Sequence, residues 1–545
     1  MKKALIFLLI FAIVLPCFGC QNNVEETKMD TTGKYKLDTN RNEAIIHDAG
    51  KIDKNIDGNA RVYYQIFVGS FSDSNGDGIG DLRGIINRFD YLNDGDPNSG
   101  VSLGVEGIWL SPIFVSPSYH KYDVSDYYKV DPKFGTEADL KELIELCHQR
   151  NVQIILDFVI NHTSTSHPWF QQFITAHKNF DTTNMYYDYY SWADAPKAGS
   201  TWSAIPSANG HYYECNFSGS MPELNFDNEL VRQEMVAAAK YYLDLGVDGF
   251  RFDAAKYIYY GTSTENTTFW DWYMAQLRAI KPDIYTVAEV WDGDGVTIPY
   301  FSSTNCFNFT MSQDAGIISQ TAKLGDVNYF VSYIANYLSS IQAQRPEAML
   351  CSFIANHDTD RAAGYLTVAS GYAKMAANLS ILTPGSPFIY YGEEIGMKGS
   401  RGGANTDANR RLAMNWGDND TVRDPIGANY SAGQTNGSVA EQLPNGDSLY
   451  NHYKRLIMIR KANPEIAYGT IQALKTNSKA SGFISTYEGS SVAVFHNSSK
   501  NTVTLDLAQY TDIPFSMIAA YIGEGTATLD GTKLTIEGQT SVVLR

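Results

Sequence analysis

The chain has 545 residues, 44% of them hydrophobic, 13% aromatic and 19% charged, and 42 Lys and Arg against 60 Asp and Glu leave a formal net charge of −18. This hydrophobic fraction supports a full core and excludes a mostly disordered chain. The length suggests roughly three to five domains, or one large barrel with attachments. The acidic balance argues against a nucleic-acid partner and against retention on anionic lipid by basic residues.

Lys2 and Lys3 precede an apolar run over 4–15 that is too short to span a bilayer. Residues 1–20 therefore read as a secretory signal. The Gly19–Cys20 junction resembles a bacterial lipobox, which makes Cys20 an expected lipid-anchored residue, although Cys17 stands where that motif usually has Leu. The expected location is the cell surface through that anchor, or the medium after simple cleavage. Residues 21–58 are polar and aperiodic and read as a tether.

After the tether, apolar runs at 62–71, 105–114, 152–160, 247–254, 284–290, 306–311, 348–357 and 387–393 read as strands. Helical patterns lie between several of them, over 137–149, 229–245 and 269–280; the first puts Leu140, Leu143, Ile144 and Cys147 on one face. Eight buried strands alternating with helices predict an α/β fold, a (β/α)8 TIM barrel spanning 59–162 and 226–467. A doubly wound sheet is the alternative, but no GxGxxG opens the first turn. The stretch between 160 and 247 is too long for a structureless loop, so 163–225 is expected to be a small inserted domain after strand three. It carries Tyr186, Tyr187, Tyr189, Tyr190, Trp192, Trp202, Tyr212 and Tyr213. Short β-prone runs at 483–487, 492–497, 502–507 and 541–544 predict a C-terminal antiparallel β-sandwich over 468–545. Cys147, Cys215, Cys306 and Cys351 show no CxxC spacing, so buried free thiols are expected rather than a metal site.

In such a barrel the active site lies at the C-terminal strand ends. Strand three ends in Asp157, Asn161 and His162; strand four in Arg251, Asp253 and Lys256; strand five in Glu289; strand seven in His357 and Asp358. Asp253, Glu289 and Asp358 thus converge on one rim. Paired carboxylates about 5–5.5 Å apart can cleave a glycosidic bond with retention. Arg251 lies two residues before Asp253, on the same strand face, and should keep that attacking carboxylate ionised. Glu289 has no cation beside it in sequence and suits the general acid.

These four segments resemble the four signature regions of the α-amylase family, glycoside hydrolase family 13, in the family's order. Met221–Asn225 resembles its fifth region, with Glu223 where Asp is usual. The resemblance implies that Asp253 is the nucleophile, Glu289 the acid/base and Asp358 the transition-state stabiliser. It implies supporting roles for Arg251, His162 and His357, a structural carboxylate in Asp157, and a leaving-group contact at Lys256. The family often has His after that Lys; here Tyr257 follows. Tyr122 would stack on the sugar at the cleavage point.

Asp73, Asn75, Asp77, the Ile79 carbonyl and Asp81 offer oxygens at positions 1, 3, 5, 7 and 9 of a loop with Gly78 at position 6, a pattern that suits Ca2+. Gly84 at position 12 rules out an EF-hand, but the loop resembles the calcium loop that some family members carry after strand one. A metal-free Asx-rich turn is the alternative. A second calcium near Asn161 stays open, with no partner carboxylate visible in the insert. Exo-acting α-glucosidases of the family usually have Asp three residues before the stacking Tyr; here Tyr119 stands there. The expectation is therefore a monomeric enzyme cleaving internal α-1,4 bonds of starch and maltooligosaccharides. A neopullulanase-like, oligo-1,6-glucosidase-like or transglycosylating enzyme would share every catalytic residue. A non-enzymatic glucan-binding protein would typically have lost Asp253 or Glu289.

Overall fold

The computed structural model describes residues 58–96, 100–401, 407–429 and 435–545. The expected signal, Cys20 and the tether up to residue 57 lie outside the described residues. Among the described residues no helix is long and apolar enough to cross a membrane.

The barrel is built from strands Tyr63–Ile66, Gly107–Leu110, Gln153–Phe158, Gly249–Phe252, Tyr285–Ala288, Asn305–Cys306 and Phe388–Tyr390, called here strands one to six and eight. They pair in parallel in the order six, five, four, three, two, one, eight. The run expected as strand seven forms no regular ladder. Cys351 bridges to Phe307 on one side and Phe353 to Phe388 on the other, and these two contacts close the ring. Its backbone divides its hydrogen bonds between both neighbours: Asn308 N–H donates to the Cys351 carbonyl and Phe388 N–H to that of Ser352. The other strands are also shorter than their apolar runs. The first bends after Ile66 into a 3-10 turn, Val68–Ser70.

Large rings fill the barrel interior: Tyr63 stacks on Phe388 and on Tyr285, each with centroids 4.8 Å apart, beside Trp109 and Phe307. Gly107 makes room for Tyr63, since a Cβ there would lie 2.4 Å from its ring. Outside, the helices expected at 137–149 and 229–245 are present as Glu137–Gln149 and Glu229–Leu245. Their ends carry local signals: a Thr136–Asp139 capping box opens the first, and Gly246 in left-handed conformation closes the second. The third pattern begins earlier than expected, at Ser263–Ile280.

The insert contains a helix that its pattern did not announce, Pro168–Lys178. It also holds a three-stranded antiparallel sheet of Trp192–Ala193, Tyr212–Glu214 and Trp202–Ala204. Tyr187, Tyr189, Tyr190 and Tyr213 are buried in it, so about half of its rings pack its own core. At the C-terminus a five-stranded antiparallel sheet (Thr470–Leu474, Ala480–Tyr487, Ser490–Asn497, Thr540–Leu544, Ile518–Gly523) accompanies a three-stranded one (Val503–Asp506, Lys533–Ile536, Ala527–Asp530). Cys147, Cys215, Cys306 and Cys351 are buried free thiols. Beneath the barrel, where strands five and six begin, a cavity of about 400 Å³ is lined by Asn59, Ala60, Arg278, Arg345 and Tyr468 among others.

Candidate active site

Strand register assembles the centre. Asp157 pairs with Arg251, and Phe252 pairs with Ala288, so Asp253 and Glu289 leave the sheet side by side. The fully buried Arg251 guanidinium then serves three carboxylates: Nη1 lies 2.7 Å from Asp157 Oδ1 and 2.8 Å from Asp253 Oδ1, and Nη2 lies 2.9 Å from Glu289 Oε2. Ala254 adopts a left-handed conformation (φ 50°) and donates its N–H to Glu289 Oε2 at 3.2 Å. A non-glycine residue in that region is strained, and the strain lies next to the clustered carboxylates.

Glu289 has no cation beside it along the chain, but across the sheet it touches the same guanidinium as Asp253. Burial outweighs that cation and pushes Glu289 up to about 7, with Asp253 and Asp358 adding to the rise. The expectation that Arg251 keeps Asp253 low is overturned: burial raises Asp253 above its ordinary value, although Arg251 and a hydrogen bond from Glu289 oppose it. Asp157, wholly buried, is pushed up to about 7 in the same way, against Arg251. Arg251 loses solvation too, yet Asp157 and Glu289 hold its pKa well above the ordinary value.

Asp358 is set apart from this group. Burial alone would raise it, but a hydrogen bond from His357 and the Arg411 guanidinium hold it well below the usual carboxylate range. His357 Nε2 lies 2.9 Å from one of its oxygens and Arg411 Nη2 2.7 Å from the other. The Gln65 amide reaches His357 Nδ1 at 2.7 Å, which assigns the imidazole proton to Nε2, facing Asp358. Burial lowers the pKa of His357 and favours this neutral form. Tyr122 lies parallel to His357 with ring centroids 5.3 Å apart, and its hydroxyl donates to Asp157 Oδ2 at 2.8 Å.

His162, lowered to about 4 by burial, contacts Asn161 and leaves Nε2 with no hydrogen-bond partner. Lys256 reaches across to the Trp291 carbonyl at 2.7 Å and to Asp292 at 3.1 Å. The expected residues of strands three, four, five and seven are thus brought together. Arg411 and Gln65 are additions that the sequence reading missed. Arg411 Nε donates to the His357 carbonyl and Nη1 to the Tyr119 hydroxyl, at 3.0 and 3.2 Å.

The insert also supplies the carboxylate that sequence reading did not find for Asn161. His162 bridges to Glu223, and the buried Glu223 accepts from the Asn216 amide at 2.9 Å. Burial, with Glu214 adding, pushes Glu223 up to about 8.

In the loop after strand one, Asp73, Asn75 and Asp77 each accept from the backbone N–H two residues on, forming three successive Asx turns. Asp73 also accepts from Gly76, Gly78 and Thr421, and Asp81 caps helix Leu82–Asn87. The desolvation that would raise Asp73 is outweighed by these donors, Thr421 first, and its pKa is lowered. The donor set is all oxygen, as calcium requires, and Asp81 Oδ2 lies 3.4 Å from the Asn75 amide. Asp73, however, is already engaged by four hydrogen bonds. Among the described residues no group of three or more His, Cys, Asp or Glu is arranged to hold a metal ion.

The family model described as "Alpha amylase, catalytic domain" matches residues 65–469. Alpha-amylase 3 of Dictyoglomus thermophilum is 36% identical over 427 residues, covering 77% of this chain and 80% of its own length. The 4-alpha-glucanotransferase of Thermotoga maritima is 31% identical over 474 residues, covering 81% and 97%. Among solved structures, Eubacterium rectale Amy13B superposes with a TM-score of 0.84 at 34% identity, covering 90% of this chain and 96% of that one.

Proposed function

From the premise that the chain belongs to the α-amylase family, glycoside hydrolase family 13, we propose that it is a retaining enzyme cleaving internal α-1,4 bonds of starch and maltooligosaccharides. The observation that carries the reading is the single guanidinium of Arg251 holding Asp253 and Glu289 side by side, with Asp358 fixed separately. Asp253 attacks the anomeric carbon while Glu289, protonated below about 7, gives its proton to the leaving oxygen. Glu289 then takes a proton from the water that attacks the glycosyl–Asp253 ester. Two inversions restore the α configuration. Asp358, held ionised by Arg411 and His357, faces the charge that develops on the sugar ring.

Tyr119 supports internal cleavage, because a hydroxyl bonded to Arg411 stands where a chain-end-gripping carboxylate would be. Loss of iodine staining should therefore run well ahead of reducing-sugar release. Glucose or maltose appearing first, with polymer length preserved, would sink the internal mode. A second reading, glucan transfer, is favoured by the rings around Lys256. Tyr257 and Tyr260 stack with centroids 4.9 Å apart, Phe217 lies 4.6 Å from Tyr257, and Phe217 and Tyr260 are exposed. A sugar hydroxyl seated there could replace the water. Products longer than a maltooligosaccharide donor would identify transfer.

We further propose that Asp73, Asn75, Asp77, Ile79 and Asp81 hold calcium, with Asp73 exchanging part of its hydrogen bonding for the ion. Calcium would supply a charge tying this loop to the barrel. Chelation should lower Tm by mass action, and Asp77→Ala should remove that sensitivity; an unchanged melting curve, with metal shown absent by elemental analysis, refutes the site. Export, lipid attachment at Cys20 and a monomeric state are proposed on the sequence reading alone. Lipid-precursor labelling that persists in Cys20→Ser would exclude the anchor.

A further inference from the structure

The cavity beneath the barrel lies at the opposite pole from the rim carboxylates, and its polar lining takes no part in the chemistry there. Helix Ser263–Ile280 brings Arg278 to it in its last turn, and helix Val327–Gln344 is followed at once by Arg345. Strand six brings Asn305, and Tyr468 ends the short helix Pro464–Tyr468 that leads to the C-terminal sheet. Several donors here lack an acceptor among the described residues. A guanidinium has five N–H groups, and that of Arg278 makes one bond, to the Ser303 carbonyl, with no carboxylate paired to it. The Asn305 amide oxygen accepts from Arg345 and from the Met349 N–H at 2.9 and 3.0 Å, which leaves its NH2 group unfilled. The Tyr468 hydroxyl is buried without a hydrogen-bond partner, and burial raises its pKa, so it stays a neutral donor.

The positive charge is also weakly balanced. Arg345 Nε lies 3.1 Å from Glu347, whose side chain is 72% exposed. Asp283, the other acid on the lining, is 78% exposed and pairs with Lys281 at 3.0 Å. Burial lowers the pKa of Arg345, and the neighbouring Arg278 lowers it further. At the rim the same burial is overcome by Asp157 beside Arg251 and by Asp358 beside Arg411, and both of those arginines are raised. Tying the turn around Ser303 to the two helices accounts for the carbonyl bonds of Arg278 and Arg345. It does not account for two guanidiniums kept side by side, nor for the unfilled amide and hydroxyl beside them.

We propose that this cavity binds a small organic phosphate, with the phosphate group seated between Arg278 and Arg345 and the body of the molecule against the apolar wall. Guanidinium forks match phosphate oxygens in pairs, and Asn305 and Tyr468 add neutral donors to the same anion. Leu338, Pro282 and Met349 supply the apolar wall. The volume of about 400 Å³ leaves room for a body beyond the phosphate group and lies within the range of small-molecule sites, roughly 300–1,000 Å³. The site is independent of the sugar chemistry at the rim.

The test uses the full chain and two probes, inorganic phosphate and glycerol 3-phosphate, with glycerol and sodium chloride at matched ionic strength as controls. Calorimetric titration should show glycerol 3-phosphate binding more tightly than inorganic phosphate, and neither control binding. Arg278→Gln should weaken glycerol 3-phosphate about tenfold, the loss of a charged donor. Tyr468→Phe, which removes only an unpartnered hydroxyl, should weaken it about threefold, and it decides the test if Arg278→Gln does not fold. Asp253→Asn should leave the affinity unchanged; a change would move the binding to the rim and overturn the site. Absence of binding by either probe, equal heat from sodium chloride, or affinity unmoved in the folded cavity variants also overturns it. Inorganic phosphate binding as tightly as glycerol 3-phosphate overturns the organic ligand.

Discussion

Two groups of buried carboxylates, one at the barrel rim and one at the junction between barrel and insert, are given different partners. At the rim, Asp157, Asp253 and Glu289 share the Arg251 guanidinium. Under the insert, Glu223 is met by the amides of Asn216 and Asn161 and by a second acid, Glu214. Removing a carboxylate from water is costly unless an opposite charge or enough donors replace the solvent. The rim has a cation that opposes the rise without cancelling it, so Asp157 and Glu289 still reach about 7. The junction has none, and Glu223 is neutral until about pH 8. Burial alone therefore does not mark a reactive carboxylate; the partner that shares the burial does.

The comparison predicts its own breaking points. The largest effect belongs to the rim's attacking group. Asp253→Asn should leave the fold intact and lower kcat by about 10⁴-fold, since no covalent intermediate can form. Trapping with a fluorinated glycosyl donor should label Asp253; a label on Asp358 would reverse the roles. Next comes the shared cation. Arg251→Met leaves three buried carboxylates without a counter-charge and should cost about 3–5 kcal/mol in denaturant unfolding. A variant as stable as the parent would show that the rim acids are neutral and resemble Glu223. The smallest effect concerns the junction.

A carboxyl raised in the folded state binds its proton more tightly folded than unfolded. Its contribution to stability is therefore present at acid pH and is lost as pH climbs from the ordinary carboxylate range toward about 8. Glu223→Gln, which keeps the acceptor for Asn216 but cannot ionise, should be more stable than the parent by about 2 kcal/mol at pH 9 and nearly equal to it at pH 5, with chelator present. A gap of the same size at both pH values would mean that Glu223 is already ionised in the fold.

Much of the architecture was legible because several local signals agreed. Helix Glu137–Gln149 has a capping box, a periodic apolar face and the buried set Leu140, Leu143, Ile144 and Cys147 that the pattern implies. The rim carboxylates stood out because each follows an apolar run at a strand end. What escaped depended on contacts distant along the chain. Arg251 reaches Glu289 only through strand register, and Arg411 comes from a loop 53 residues after Asp358, with no periodic pattern around it. Glu223 finds Asn161 through one bridge at His162. Strand seven was over-read because apolar content does not reveal how a backbone divides its hydrogen bonds. The C-terminal strands Ile518–Gly523, Ala527–Asp530 and Lys533–Ile536 were missed because they are short and interrupted by turn residues.

The cavity beneath the barrel has a geometric consequence. Asn59 and Ala60 line it, and Gly58 lies against Tyr468, so the described chain begins at the pole where the strands start. The carboxylates open at the other pole, where the strands end. Anything joined through the N-terminus therefore attaches at the back of the enzyme. That attachment stands clear of the mouth, so a polymer could enter the cleft without meeting it.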